Sequence, residues 1–141
     1  MQTRNGIQLY SASDICGFLE CQHLTALDLQ NLVLPMAKAA ASDQNRLIQD
    51  KGLAHEAAFF ERLKSEYANV VDIAQGNPSF ARRVELTIQA MKAGVDIIFQ
   101  ASLQEGAFIG HADFLRKVPL ASALGDHSYE VIDTKLAKTA K

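Results

Sequence analysis

Residues 96–118 read DIIFQASLQEGAFIGHADFLRKV, and the way they are read decides the fold. Residues 96–103 are rich in β-formers, Gln104-Glu105-Gly106 is turn chemistry, and 107–118 run back as a partner strand, so the stretch predicts a hairpin. After a loop over 119–127, residues 129–135 (YEVIDTK) supply a third strand. In extended backbone alternate side chains share a face, which sets Asp133 and Lys135 side by side.

Upstream of the hairpin the period becomes helical. Residues 80–92 predict a helix stopped by Gly94, preceded by turn chemistry at Gln75-Gly-Asn-Pro78. Residues 43–67 predict a longer helix with Ile48, Gly52, His55, Phe59 and Leu63 along one side, so that His55 faces inward. Ser11 to Asp14 offer capping oxygens before Ile15, Phe18, Leu19, Leu24, Leu27 and Leu29, which predict one helix over 13–29; Pro35 interrupts the apolar stretch beyond it, and 39–43 form a connector. The class is α/β, with helices followed by three strands.

A chain of 141 residues with 48% apolar content suits one domain with a real core. Sixteen acids against 14 Lys and Arg leave a net charge of −2, so there is no global footprint of a phosphate-backbone binder. Any nucleic-acid site is local, with Arg82-Arg83, Arg116-Lys117 and the tail Lys135, Lys138, Lys141 as basic spots that also read as solvated faces. No run approaches a membrane span and the first residues lack a signal peptide's apolar core, which points to the cytoplasm. Cys16 and Cys21 read as reduced thiols.

Four residues carry chemistry: His55, Asp113, Asp133 and Lys135. Taken singly, an inward His is a hydrogen-bonded core residue, Asp113 a solvent-side acid, and Asp133 with Lys135 a surface ion pair. Taken together, two carboxylates from neighbouring strands offer hard oxygen ligands to Mg²⁺ or Mn²⁺, and an imidazole from a packed helix completes the shell. A lysine beside that cation orients a water and stabilises charge on a scissile phosphate.

Gly110-His-Ala-Asp113 followed by Glu130-Val-Ile-Asp133-Thr-Lys135 resembles the PD-(D/E)XK nuclease motif, and Lys51-Gly-Leu-Ala-His55-Glu56 resembles the histidine motif of its RecB-like branch. Tyr10-Ser-Ala-Ser-Asp14, Cys21-Gln-His-Leu24, Ala90-Met-Lys-Ala-Gly94 and residues 129–137 extend the likeness to RecB-like nucleases that often precede a helicase domain. The resemblance implies a restriction-endonuclease-like core and a metal-dependent DNA nuclease of repair or recombination. It implies His55, Asp113 and Asp133 as metal ligands, the Thr134 backbone carbonyl as a further ligand, and Asp113, Asp133 and Lys135 as the catalytic set. Glu56 and Gln100 stand in a second rank, outside that set: Glu56 also reads as a helix-surface acid and Gln100 as a partner for a neighbouring backbone group.

That family's core continues past the lysine strand with a helix and another strand. The expected organisation is therefore an N-terminal helical segment over 1–40 and an incomplete RecB-like nuclease core over 41–141, the N-terminal piece of a longer protein, poorly stable alone or self-associating. Iron–sulfur members of the wider group use one early and three late cysteines; Cys21 matches the early one, and the sequence here contains no late three, which leaves a cluster in a parent protein open. A second reading keeps the fold as a non-catalytic DNA-binding or protein-docking module of a helicase–nuclease complex. A third takes the acids as plain surface charge. Polarity of cutting, exo or endo action, and DNA against RNA stay open.

Overall fold

A computed structural model describes residues 1–37 and 42–135. The described elements are β1 (Gln2–Arg4), β2 (Ile7–Ser11), α1 (Ala12–Glu20), α2 (Gln22–Val33), α3 (Asp43–Glu66), β3 (Val70–Asp72), α4 (Phe80–Lys92), β4 (Ile97–Glu105), β5 (Phe108–Val118) and β6 (Ser128–Ile132). The class is mixed α/β, with four helices and a six-stranded mixed sheet among the described residues. Internal contacts divide the chain into two units, Met1–Ala40 with Leu103–Gly110, and Ala41–Ser102 with His111–Lys141.

The first unit is not purely helical, which corrects the expectation for its residues. β1 and β2 form an antiparallel hairpin turning at Asn5-Gly6, where φ is 50° and 76°. Asn-Gly is the dipeptide that takes left-handed backbone at both central turn positions most readily. β2 then pairs in parallel with the start of β5, Tyr10 against Phe108 and Ser11 against Ile109. A capping box opens α1: Asp14 N–H donates to Ser11 Oγ at 3.3 Å, and Ser11 N–H donates to Asp14 Oδ2 at 2.7 Å.

The single helix expected over 13–29 breaks at Cys21, which is extended at φ −155°. The step from Leu19 to Leu24 falls between one helical turn and two, so no single stripe serves both halves. Cys21 closes α1 by donating to the Gly17 carbonyl at 2.9 Å and opens α2 by accepting from Leu24 N–H at 3.4 Å. Both cysteines are free and exposed. Neither α1 nor α2 fully buries a residue.

In the second unit Ser42 and Ser79 cap α3 and α4. β3 runs parallel to β4, Val70 against Ile97, and β6 runs antiparallel to β5, Phe114 against Ile132. Ile97 and Ile98 are both fully buried, on opposite sides of the sheet. Ile98 joins Ile73, Ala90, Val95, Ala101, Ala112 and Leu115 beneath α4. Ile97 joins Leu63 and Phe114 beneath α3, where Phe60 stacks on Phe99 at 4.1 Å and Phe59 meets Phe114 edge-on at 5.1 Å. The sheet thus carries a helix on each face, and Phe114, on the α3 side, is the largest fully buried side chain among the described residues.

Two expectations for this unit change. β3 is additional, since Val70-Val71-Asp72 is too short for alternation to register. The last strand ends at Ile132, so Asp133, Thr134 and Lys135 lie just past it and not within it.

Candidate functional site

β5 brings Asp113 to the α3 side of the sheet by doubling two side chains on one face. Ala112 and Leu115 lie in the cluster beneath α4, whereas Phe114 packs under α3 and Asp113 lines a cleft beside α3. Phe114 pairs with Ile132, the last residue of β6, and Asp133 follows just beyond it, within hydrogen-bonding reach of Asp113. The cleft is open, about 470 Å³, and lined by Gln49, Gly52, Leu53 and Glu56 of α3 with Asp113, Asp133 and Thr134.

Within it, Thr134 donates twice to Asp113 Oδ2, from its N–H at 3.0 Å and its hydroxyl at 3.3 Å. Lys135 Nζ stands 2.8 Å from Asp133 Oδ2. Gln100 of β4 donates from Nε2 to Glu56 Oε1. The hydrogen bond from Lys135, then the contact with Asp113 and the Lys135 charge, hold Asp133 below the usual carboxylate range against its partial desolvation. The same contact raises Lys135. Burial pushes Glu56 up, and the charges of Asp113 and Asp133 push it further, against the hydrogen bond from Gln100.

The structure brings Asp113, Asp133, Thr134 and Lys135 together and leaves His55 out. His55 is exposed and not part of the cleft lining, which corrects its inward placement. The less exposed stripe of α3 is Gly52, Glu56, Phe59, Phe60 and Leu63, of which Leu63 is buried and the others half-buried. The stripe read through His55 shares Gly52, Phe59 and Leu63 with it, so hydrophobic spacing alone could not choose between two adjacent positions. Phe60, four residues after Glu56, was the available signal. Glu56 and Gln100, ranked second by sequence, are the residues the structure adds.

Among the described residues no three His, Cys, Asp or Glu side chains close in as a ready-made cage for a metal. Asp113 and Asp133 nonetheless suit Mg²⁺ or Mn²⁺, because such cations bind through one or two carboxylates and keep several waters. Comparison with known proteins finds no matching family model, no matching curated protein and no matching solved structure.

Proposed function

We propose that the chain is a metal-dependent DNA nuclease domain of the RecB-like PD-(D/E)XK kind, hydrolysing phosphodiester bonds in repair or recombination and working beside a helicase domain. The observation that carries the reading is the meeting of residues twenty positions apart: Asp113 from β5 with Asp133 and Thr134, just past β6, around one cleft, and Lys135 in contact with Asp133. These are the positions that the motif resemblance singles out.

In this reading Asp113 and Asp133, with the Thr134 backbone carbonyl, hold Mg²⁺ or Mn²⁺, which supplies Lewis acidity toward the phosphate and a more acidic water. The protein groups do the rest. Thr134 fixes Oδ2 of Asp113 from its N–H and its hydroxyl and so orients the carboxylate. Lys135, held protonated by Asp133, presents positive charge where a pentacoordinate phosphate gathers negative charge. At 78% side-chain exposure the amine has room to move from Asp133 toward a substrate.

The test is incubation of end-labelled single- and double-stranded DNA, and of matched RNA, with the chain in Mg²⁺ or Mn²⁺. DNA cutting is expected, abolished by EDTA and reduced at least about 100-fold in Asp113→Asn, a change that keeps shape and removes charge. Retention of DNA on the parent chain without cutting in either metal would favour the binding-module reading. Cutting of RNA alone would move the substrate class.

A further inference from the structure

Gln100 is the residue of β4 that strand geometry explains least. It lies inside a strand at φ 54°, left-handed backbone that residues other than glycine avoid. Phe99 stacks on Phe60 of α3 while Gln100 donates to Glu56 of that same helix, so two consecutive side chains face α3. Ile98 and Ala101, on either side of them, both lie in the cluster beneath α4. Two residues on one face, flanked by two on the other, are the mark of a β-bulge, a device that re-aims a side chain.

The bulge has its own support. Two residues on, Ser102 N–H donates at 3.1 Å to Oγ1 of Thr87, a fully buried hydroxyl of α4 that passes its own hydrogen to the Arg83 carbonyl at 2.8 Å. Uninterrupted alternation after Ile98 would send the side chain at 100 to the α4 face, into an apolar cluster offering an amide no partner. The strained conformation instead delivers the carboxamide to the one carboxylate of α3 that looks onto Asp113 and Asp133.

We infer that Gln100 is a positioning residue of the site: the bulge aims its carboxamide at Glu56 and holds that carboxylate over the cleft, where it accepts a hydrogen bond from a water on a cation held by Asp113 and Asp133. The inference rests on the proposed nuclease reading. Groups that act on a bound cation through its water change metal affinity about 10- to 100-fold when lost.

The experiment is Mn²⁺ titration of the chain, without DNA, followed by electron paramagnetic resonance, with thermal melting alongside. Glu56→Gln is expected to weaken Mn²⁺ binding about 10-fold, and Gln100→Gly to weaken it by a similar factor while the fold holds, because glycine relieves the left-handed strain. Gln100→Asn tolerates the same backbone but ends one methylene short, and should behave likewise. Since Gln100 acts through Glu56, the double variant Glu56→Gln with Gln100→Gly should bind no more weakly than Glu56→Gln alone. Parental Mn²⁺ affinity in both Gln100 variants, or losses that simply multiply in the double variant, would overturn the positioning role while Asp113→Asn still abolished binding. No Mn²⁺ binding by the parent chain, or binding indifferent to Asp113→Asn, would remove the nuclease reading and this inference with it.

Discussion

Thr87 places a hydroxyl where no water reaches and uses both its donor and its acceptor, toward Arg83 and Ser102. Thr87→Val keeps the shape and orphans the Ser102 N–H, so it should destabilise the fold by about 1–3 kcal/mol in urea titration, and unchanged stability would mean that the N–H finds another acceptor. The site residues were unevenly legible at this scale. Asp113, Asp133 and Lys135 could be picked out because an acid in an apolar strand and an acid–lysine pair at a strand's end stand out against their neighbours. Glu56 was reached only in the second rank, because its identity as the inward residue depends on which of two overlapping stripes of α3 meets the sheet. Gln100 stood in the second rank too, and its bulge went unread: a left-handed residue inside a strand leaves no mark on the sequence when it is not glycine.

The end of α4 and the turn after it are tied to the end of β5, the loop beyond it and the start of β6 by donors that meet the carbonyls of Met91, Gly94 and Val95. His127 Nε2 lies 3.0 Å from the Met91 carbonyl, the Tyr129 hydroxyl donates to the Val95 carbonyl at 2.7 Å, and Lys117 donates to the Gly94 carbonyl at 2.9 Å and pairs with Asp96 at 3.1 Å. The Met91 carbonyl, then Asp126, raise His127 above its ordinary 6.5, against partial desolvation and the Lys117 charge. A raised folded value means that the imidazolium contributes stability fully below about pH 6.5 and loses it as pH climbs through the higher folded value. Melting temperature should therefore fall more between pH 6 and about 8 in the parent than in His127→Gln, and parallel pH profiles would contradict the tie. In the core, Phe114→Ala should cost about 3–5 kcal/mol in the same urea titration, since its ring has neighbours from α3 and β4. Elements with long, regular patterns were legible: α3, α4 and the β4–β5 hairpin fall where periodicity puts them. The elements missed are those held by brief local chemistry: the Asn5-Gly6 hairpin, three-residue β3, and the break at Cys21.

At the scale of the whole chain, a net charge of −2 leaves little general attraction for DNA, and the basic spots are largely engaged. Arg82 pairs with Glu85 at 2.9 Å and Lys117 with Asp96 at 3.1 Å, Arg116 pairs with Glu130, and Arg83 donates to the Pro78 carbonyl at 3.2 Å. Lys138 and Lys141 lie outside the described residues. Without a divalent cation, DNA binding should be weak, with a log–log salt slope no steeper than about −2; a much steeper slope would reveal a basic surface that these pairs do not suggest. No described helix is long and apolar enough to cross a membrane. The central claim is that Asp133 and Lys135, joined by one 2.8 Å contact, do different work: the acid holds a cation and the amine serves the phosphate. The most direct test sets Asp133→Ala beside Lys135→Ala, measuring Mn²⁺ affinity calorimetrically and DNA cleavage in the same preparations. The account predicts that both variants lose cleavage by at least about 100-fold, while Mn²⁺ binding falls only in Asp133→Ala and holds or tightens in Lys135→Ala, where a competing positive charge is gone. Cleavage at the parental rate by Lys135→Ala, or unchanged Mn²⁺ affinity in Asp133→Ala, would contradict it and leave the two as an exposed ion pair.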